Sequence, residues 1–257
     1  MIIDLNNKTS LVTGAGRGIG EGICLELAKS GSKIVAVSRN SKTLKELKKK
    51  LHGNDHLFFA CDLEKKNSAK ILINFLEKKR IKPDIVINNV GGNLGYTDPL
   101  ASMNDFKKVF HLNFNLTVEI NRHVIPNMTK NKWGRIINIS SIAALENQGP
   151  PAYCAAKAAL NAYTRSLGRF ISKDNVIMTT VMPGAIMTKG GYWDLKSKHD
   201  KKHVAKYLED RMAIKRFGNV SEISGFVAFL ASDRASFCPG SGFLVDGGQG
   251  RLFYNGE

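Results

Sequence analysis

Short, almost purely apolar runs alternate with amphipathic segments along this chain, and that alternation leaves few folds open. Strand-like runs cover residues 8–12, 34–37, 57–60, 85–87 (ending in Asn88), 136–139, 176–181 and 242–245. Helical patterns are expected at 18–30, where Gly31 is the natural stop, and at 41–51, 64–78, 105–128 with a break near Pro126, 152–171, 201–212 and 221–231. No linker or low-complexity stretch interrupts them. Strands of this kind, each followed by a helix, predict an α/β fold: a doubly wound, Rossmann-like parallel sheet covered on both faces, as one domain over 1–257. Ligands of such sheets bind at the carboxyl ends of the strands, so chemistry-bearing residues are sought there.

The first strand runs into Thr13-Gly14-Ala15-Gly16-Arg17-Gly18-Ile19-Gly20 and then a helix. Gly14 permits the tight turn, Gly18 lets backbone approach a pyrophosphate, and Gly20 allows close helix–strand packing. A glycine-rich turn without a ligand is the alternative, but the strand–loop–helix context favours a dinucleotide. The second strand ends Ser38-Arg39, where an acidic residue would grip the ribose hydroxyl of NAD. A serine and an arginine, with Arg17 nearby, suit the 2′-phosphate of NADP(H) instead, although both arginines also read as surface charges. NADP(H) is therefore the expected cofactor and NAD(H) the alternative. Asp62, beside Leu63 after the third strand, suits either the adenine amine or a helix N-cap ahead of Glu64.

Tyr153 and Lys157 lie four apart, on one face of a predicted helix. A tyrosine ionises near pH 10 in water, and a neighbouring ammonium lowers that value toward acid–base use. Ser141, directly after the strand at 136–139, is placed to hydrogen-bond a carbonyl oxygen, while Ser140 satisfies local backbone. Asn88-Asn89-Val90-Gly91 closes another strand, and Asn113 lies in the long helix that follows.

With these motifs in this order, the sequence resembles the single-domain branch of the short-chain dehydrogenase/reductases over almost its whole length. TGAGRGIG, NNVG, Asn113, Ser141, YCAAK and PGAIMT (183–188) carry the resemblance, together with the glycine-rich stretch at 239–248. The resemblance implies that Tyr153 is the general acid–base and that Lys157 tunes it and holds the nicotinamide ribose. It implies that Ser141 orients the carbonyl and that Asn113 holds a water leading from Lys157 to solvent. The implied cofactor set is Gly14, Gly16, Arg17, Gly18, Ile19, Gly20, Ser38, Arg39, Asp62, Leu63, Asn89, Gly91, Tyr153, Lys157, Pro183, Gly184, Ile186 and Thr188. Val90 stands where the family most often has alanine. The pattern is most similar to 3-oxoacyl-carrier-protein reductases, with a sugar or other polar hydroxy compound as the alternative substrate. Residues 189–217, carrying Tyr192, Trp193 and a lysine-rich helix, are expected to form a substrate lid.

The formal charge of +16 is mostly lysine, and arginine is sparse and unclustered, so solvated helix faces are the first reading. No nucleic-acid partner is expected; an anionic substrate or an acidic carrier meeting Lys132 and Lys173 is the alternative. Cys24, Cys61, Cys154 and Cys238 are scattered without a CxxC pair, and His199 and His203 lack an evident third ligand, so no metal is expected. No apolar run nears the roughly 20 residues of a membrane span, and Met1-Ile2-Ile3-Asp4 lacks a basic n-region. A cytoplasmic enzyme is the expectation, with a non-catalytic NADPH-binding regulator as its non-enzyme rival. The small residues Ala155, Ala156, Ala158, Ala159 and Ala162 exceed one core-facing stripe and predict a homodimer or homotetramer.

Overall fold

The computed structural model describes residues 2–251. Strands β1 (Thr9–Thr13), β2 (Lys33–Ser38), β3 (Leu57–Ala60), β4 (Ile85–Asn88), β5 (Gly134–Ile139), β6 (Val176–Pro183) and β9 (Gly242–Val245) form one sheet. Its order is β3-β2-β1-β4-β5-β6-β9, and every pairing is parallel. The winding direction reverses between β1 and β4, the switch point where such sheets open a crevice.

Alternate residues of each strand feed two helical layers. Val12, Ile34, Ile87 and Ile137 pack with α1 (Gly18–Lys29), α2 (Ser41–Lys50) and α9 (Val220–Leu230). Leu11, Val35, Val86 and Ile136 pack on the other face with α3 (Ser68–Lys78), α5 (Leu116–Lys130) and α6 (Pro151–Ile171). Because both faces are covered, most central strand positions are apolar, and the polar exceptions such as Ser10, Asn138, Thr179 and Thr180 are themselves buried.

Three boundaries differ from expectation. The third helix begins at Ser68 rather than 64, because Asp62 closes a turn by accepting from Glu64 N at 3.2 Å and Asn67 adopts φ 63°. The long helix is split into α4 (Met103–Phe110) and α5 by a π-helical turn at His111–Asn115. Pro126 does not break α5. It is exposed, as is Arg122 one turn earlier, so the carbonyl that loses its N–H partner faces water.

Between β6 and α9 the chain forms β7 (Ile186–Met187), α7 (Tyr192–His199), α8 (Lys201–Arg211) and β8 (Gly218–Asn219). β7 pairs with β8 in parallel, which fixes the base of this excursion. Asp200 separates the two helices and caps α8 by accepting from His203 N at 3.1 Å. Trp193 holds them together, with ring centroids 4.1 Å from Tyr207 and 4.7 Å from Phe217. No helix among the described residues is long and apolar enough to cross a membrane.

Candidate active site

The carboxyl ends of β1 through β6 open into a cleft of about 730 Å³. Its floor begins with the glycine loop. A Cβ on Gly20 would lie 2.2 Å from the Gly14 carbonyl oxygen, and one on Gly16 would lie 2.4 Å from both Ser38 Oγ and Thr43 Oγ1. Only glycine permits that closeness, and the backbone thereby forms a cradle open to a phosphate. Gly20→Ala is expected to push the loop off its seat and weaken nucleotide binding about tenfold or more, read as a Kd, without unfolding the chain.

The loop is tied to β4. Thr13 Oγ1 accepts from Asn89 N at 3.0 Å and Val90 N at 3.2 Å, and Asn89 Nδ2 donates to Thr13 O at 3.0 Å. Asn89 therefore shapes the loop. Behind it, Asn88 Nδ2 donates to Asn121 Oδ1 at 3.1 Å and to Asn138 Oδ1 at 2.8 Å, and Asn138 Nδ2 donates to Thr164 Oγ1 at 2.8 Å. This buried network locks β4, β5, α5 and α6 into one frame. Thr13 stands in the glycine motif read from the sequence, but its tie to β4 and the parts played by Asn121, Asn138 and Thr164 do not show there, since only long-range pairing brings these residues together.

At the rim of the cleft, Ser141 follows β5 and Tyr153 and Lys157 occupy the first turns of α6. Ser141 Oγ accepts from Ala143 N at 3.1 Å, which fixes the hydroxyl beside the phenol. Ser140 Oγ donates to Lys157 O at 3.3 Å, the local role expected of it. Lys157 Nζ donates to Ile139 O at 2.8 Å and lies 5.7 Å from the Tyr153 ring centroid. Asn113 is buried behind them: Nδ2 donates to Val109 O and Gly92 O, both at 2.8 Å, and Oδ1 accepts from Gly92 N at 3.0 Å. The π-helical turn sets that side chain across to the β4 loop, a common use of such turns.

The electrostatics depart from the sequence expectation at one point. Burial pushes the Tyr153 phenol above its ordinary value; the Ser141 hydroxyl opposes this, and Cys154 adds to it. Lys157 is itself pushed down to about 8 by burial, so it is a weaker cation than a solvated lysine. Its ordinary value is 10.5, so the unfolded chain holds this proton more tightly than the folded one. Folding is thus penalised below pH about 8, and the penalty is relieved as pH rises from about 8 toward 10.5. Lys157→Met is expected to raise stability at neutral pH by about 2 kcal/mol, after allowing for the lost bond to Ile139, with an advantage that shrinks toward high pH. Denaturant unfolding of both proteins across that range reads the difference.

Of the sequence-predicted residues, Gly14, Gly16, Arg17, Gly18, Ile19, Gly20, Ser38, Arg39, Asp62, Leu63, Asn89, Gly91, Ser141, Tyr153, Lys157, Pro183, Gly184 and Thr188 all line the cleft. Asn113 sits behind it, and Ile186 turns into the core under β7. Lys132 and Lys173 lie at the amino ends of β5 and β6, the edge opposite the cleft, where Lys132 pairs with Asp174 at 2.5 Å. Within one chain they form no basic rim at its mouth. His203 stacks on Trp193 at 6.2 Å.

A glycine cradle at the switch point of a doubly wound sheet, with a serine, tyrosine and lysine at its rim, defines a class of oxidoreductases. The family model described as short chain dehydrogenase matches residues 8–193, and the chain belongs to that family. It is 36% identical over 252 residues to a 3-oxoacyl-(acyl-carrier-protein) reductase of Rickettsia conorii, covering 96% of this chain and 99% of the relative. Among solved structures it is similar to a 3-oxoacyl (acyl-carrier-protein) reductase from Agrobacterium tumefaciens C58 with NADP bound, with TM-score 0.89, 29% identity and 96% of each chain covered. It is likewise similar to L-sorbose reductase from Gluconobacter frateurii complexed with NADPH and L-sorbose, with TM-score 0.87, 29% identity and 97% and 98% of the two chains covered.

Proposed function

We propose that this chain is an NADPH-dependent carbonyl reductase acting on a 3-oxoacyl thioester. The observation that carries the reading is the convergence of Ser141, Tyr153 and Lys157 on the rim of a cleft whose floor is the glycine cradle. The cradle suits a pyrophosphate, and Ser38 with Arg39 at the end of β2 suits an adenosine 2′-phosphate. When bound, NADPH supplies the hydride that reduces the carbonyl carbon. Ser141 donates a hydrogen bond to the carbonyl oxygen and orients it. Tyr153, a phenol that burial pushes further toward its protonated form, delivers the proton to that oxygen as charge develops there. Lys157 presents a buried ammonium beside the phenol, and Asn113 holds the Gly91–Gly92 backbone against them.

A carrier-bound acyl chain would enter past residues 189–217, which we read as a lid built on the β7–β8 base. A polar ketose is the second reading, favoured by Asn93 in the cleft lining and by the likeness to the sorbose reductase. NADPH consumption with an acetoacetyl thioester and with a ketose separates the two. Faster oxidation with the thioester supports the first; turnover of the ketose alone overturns it.

The assembly we propose is a homodimer or homotetramer. Ala155, Ala158 and Ala162 are exposed on α6, and Phe170 near its end is 72% exposed. Light scattering giving a monomer mass would contradict this. The four cysteines are unpaired, and we place the protein in the reducing cytoplasm.

A further inference from the structure

The adenosine end of the cleft contains a charge pair that the fold does not need. Arg39 follows β2 and Glu64 lies in the turn after β3; these strands are hydrogen-bonded neighbours, and both side chains line the cleft. Arg39 Nη1 donates to Glu64 Oε1 at 2.9 Å. The two side chains are 62% and 41% exposed, a setting in which an ion pair contributes only about 0–1 kcal/mol to folding. Its location carries more meaning than its strength. Arg39 is the cation at the end of the second strand, where this fold brings the ribose 2′ position of a dinucleotide. One N–H of its planar fork is already occupied by a carboxylate of its own chain.

A phosphate monoester carries about −1.5 to −2 charges at pH 7 and binds a guanidinium through two parallel hydrogen bonds. It therefore outcompetes a half-solvated carboxylate for Arg39, but two effects oppose the exchange. The existing pair must open, and the Glu64 charge then remains beside the incoming dianion. Neither effect touches a nucleotide whose 2′ position is a hydroxyl. We infer that Glu64 is a cofactor-specificity residue: it holds Arg39 in the free protein and tempers the preference for a 2′-phosphorylated nucleotide. This inference rests on the NADP(H) reading above and adds a residue to it. Glu64 acts as the counter-charge that keeps the protein's hold on NADP(H) moderate, so that the nucleotide can exchange.

The test is a set of dissociation constants for NADPH and NADH on the full chain, by nicotinamide fluorescence, for wild type, Glu64→Gln, Arg39→Ala and the double variant. Calorimetric titration with adenosine nucleotides that carry or lack the 2′-phosphate supplies a readout free of the nicotinamide. Glu64→Gln is expected to tighten NADPH about three- to tenfold, leave NADH within about twofold, and produce no gain when Arg39 is already alanine. The inference is overturned if NADPH affinity is unchanged or weaker, if NADH gains equally, or if the gain survives in the double variant. Failure of the wild type to bind either dinucleotide would instead overturn the cofactor reading itself, and Glu64's role with it.

Discussion

Tyr153→Phe is expected to lower turnover by about 10²–10⁴-fold while leaving the Kd for NADPH within a few-fold. The ring packs with the small apolar cluster of Val109, Ala152 and Ala156, and phenylalanine preserves that packing. What is lost is one oxygen: the proposed proton donor to the carbonyl and the partner of Ser141. A phenol is already protonated at neutral pH, and burial pushes it further that way; this is the form that the proposed reduction consumes. The distinguishing pattern is a collapse of kcat with nucleotide affinity retained. A variant that keeps more than about a tenth of wild-type turnover would show that the proton arrives from water or another group.

The second large effect lies at the other end of the sheet. Arg135 on β5 is fully buried, and its guanidinium is held by an array of acceptors. Nε donates to Ser232 O at 3.1 Å, Nη1 to Gly134 O at 2.9 Å and Asn175 O at 3.1 Å, and Nη2 to Asp233 Oδ1 at 2.8 Å. Trp133 covers it with its ring centroid 4.6 Å from the guanidinium carbon. Arg135→Ala removes the donor to three main-chain carbonyls and leaves a cavity, and is expected to destabilise the fold by about 3–5 kcal/mol. In a chain of this size that lowers Tm by roughly 6–20 °C. Turnover at low temperature is expected to stay near wild type, because Arg135 belongs to the amino-terminal edge of the sheet. A loss below about 1 kcal/mol would mean that water replaces the guanidinium at little cost.

The doubly wound sheet was legible because its strands are buried on both faces and its helices on one. Continuous apolar runs therefore alternate with one-sided helical periodicity along the chain, and seven strand runs predicted the seven strands of the main sheet. The cleft was legible because dinucleotide chemistry concentrates on glycines at a strand–helix turn and on side chains four apart. The features that escaped are those that depend on distant partners. The β7–β8 pair has two residues per strand, too short for any periodicity. The π-helical turn around Asn113 has the same apolar spacing as the α-helices flanking it. The Asn88–Asn121–Asn138–Thr164 network joins four elements, and each residue alone reads as an ordinary polar position.

The direction of the Tyr153 shift was missed for a related reason. Spacing places an ammonium near a phenol, but it does not report how much water either group loses. Lys157 is 3% exposed, and the desolvation that weakens it as a cation also raises the phenol. Lys132 and Lys173 illustrate the limit for surfaces: both precede strands, and parallel strands place their beginnings at the edge farthest from the cleft.

The hydride itself can be followed from cofactor to product. NADPH carrying deuterium at the transferable position of the nicotinamide is incubated with the protein and an acetoacetyl thioester, and the product is weighed by mass spectrometry. One deuterium is expected on the new carbinol carbon, in product formed by the wild type and not by Tyr153→Phe. A reduced product without deuterium, or no reduction of any carbonyl despite NADPH binding, would contradict it.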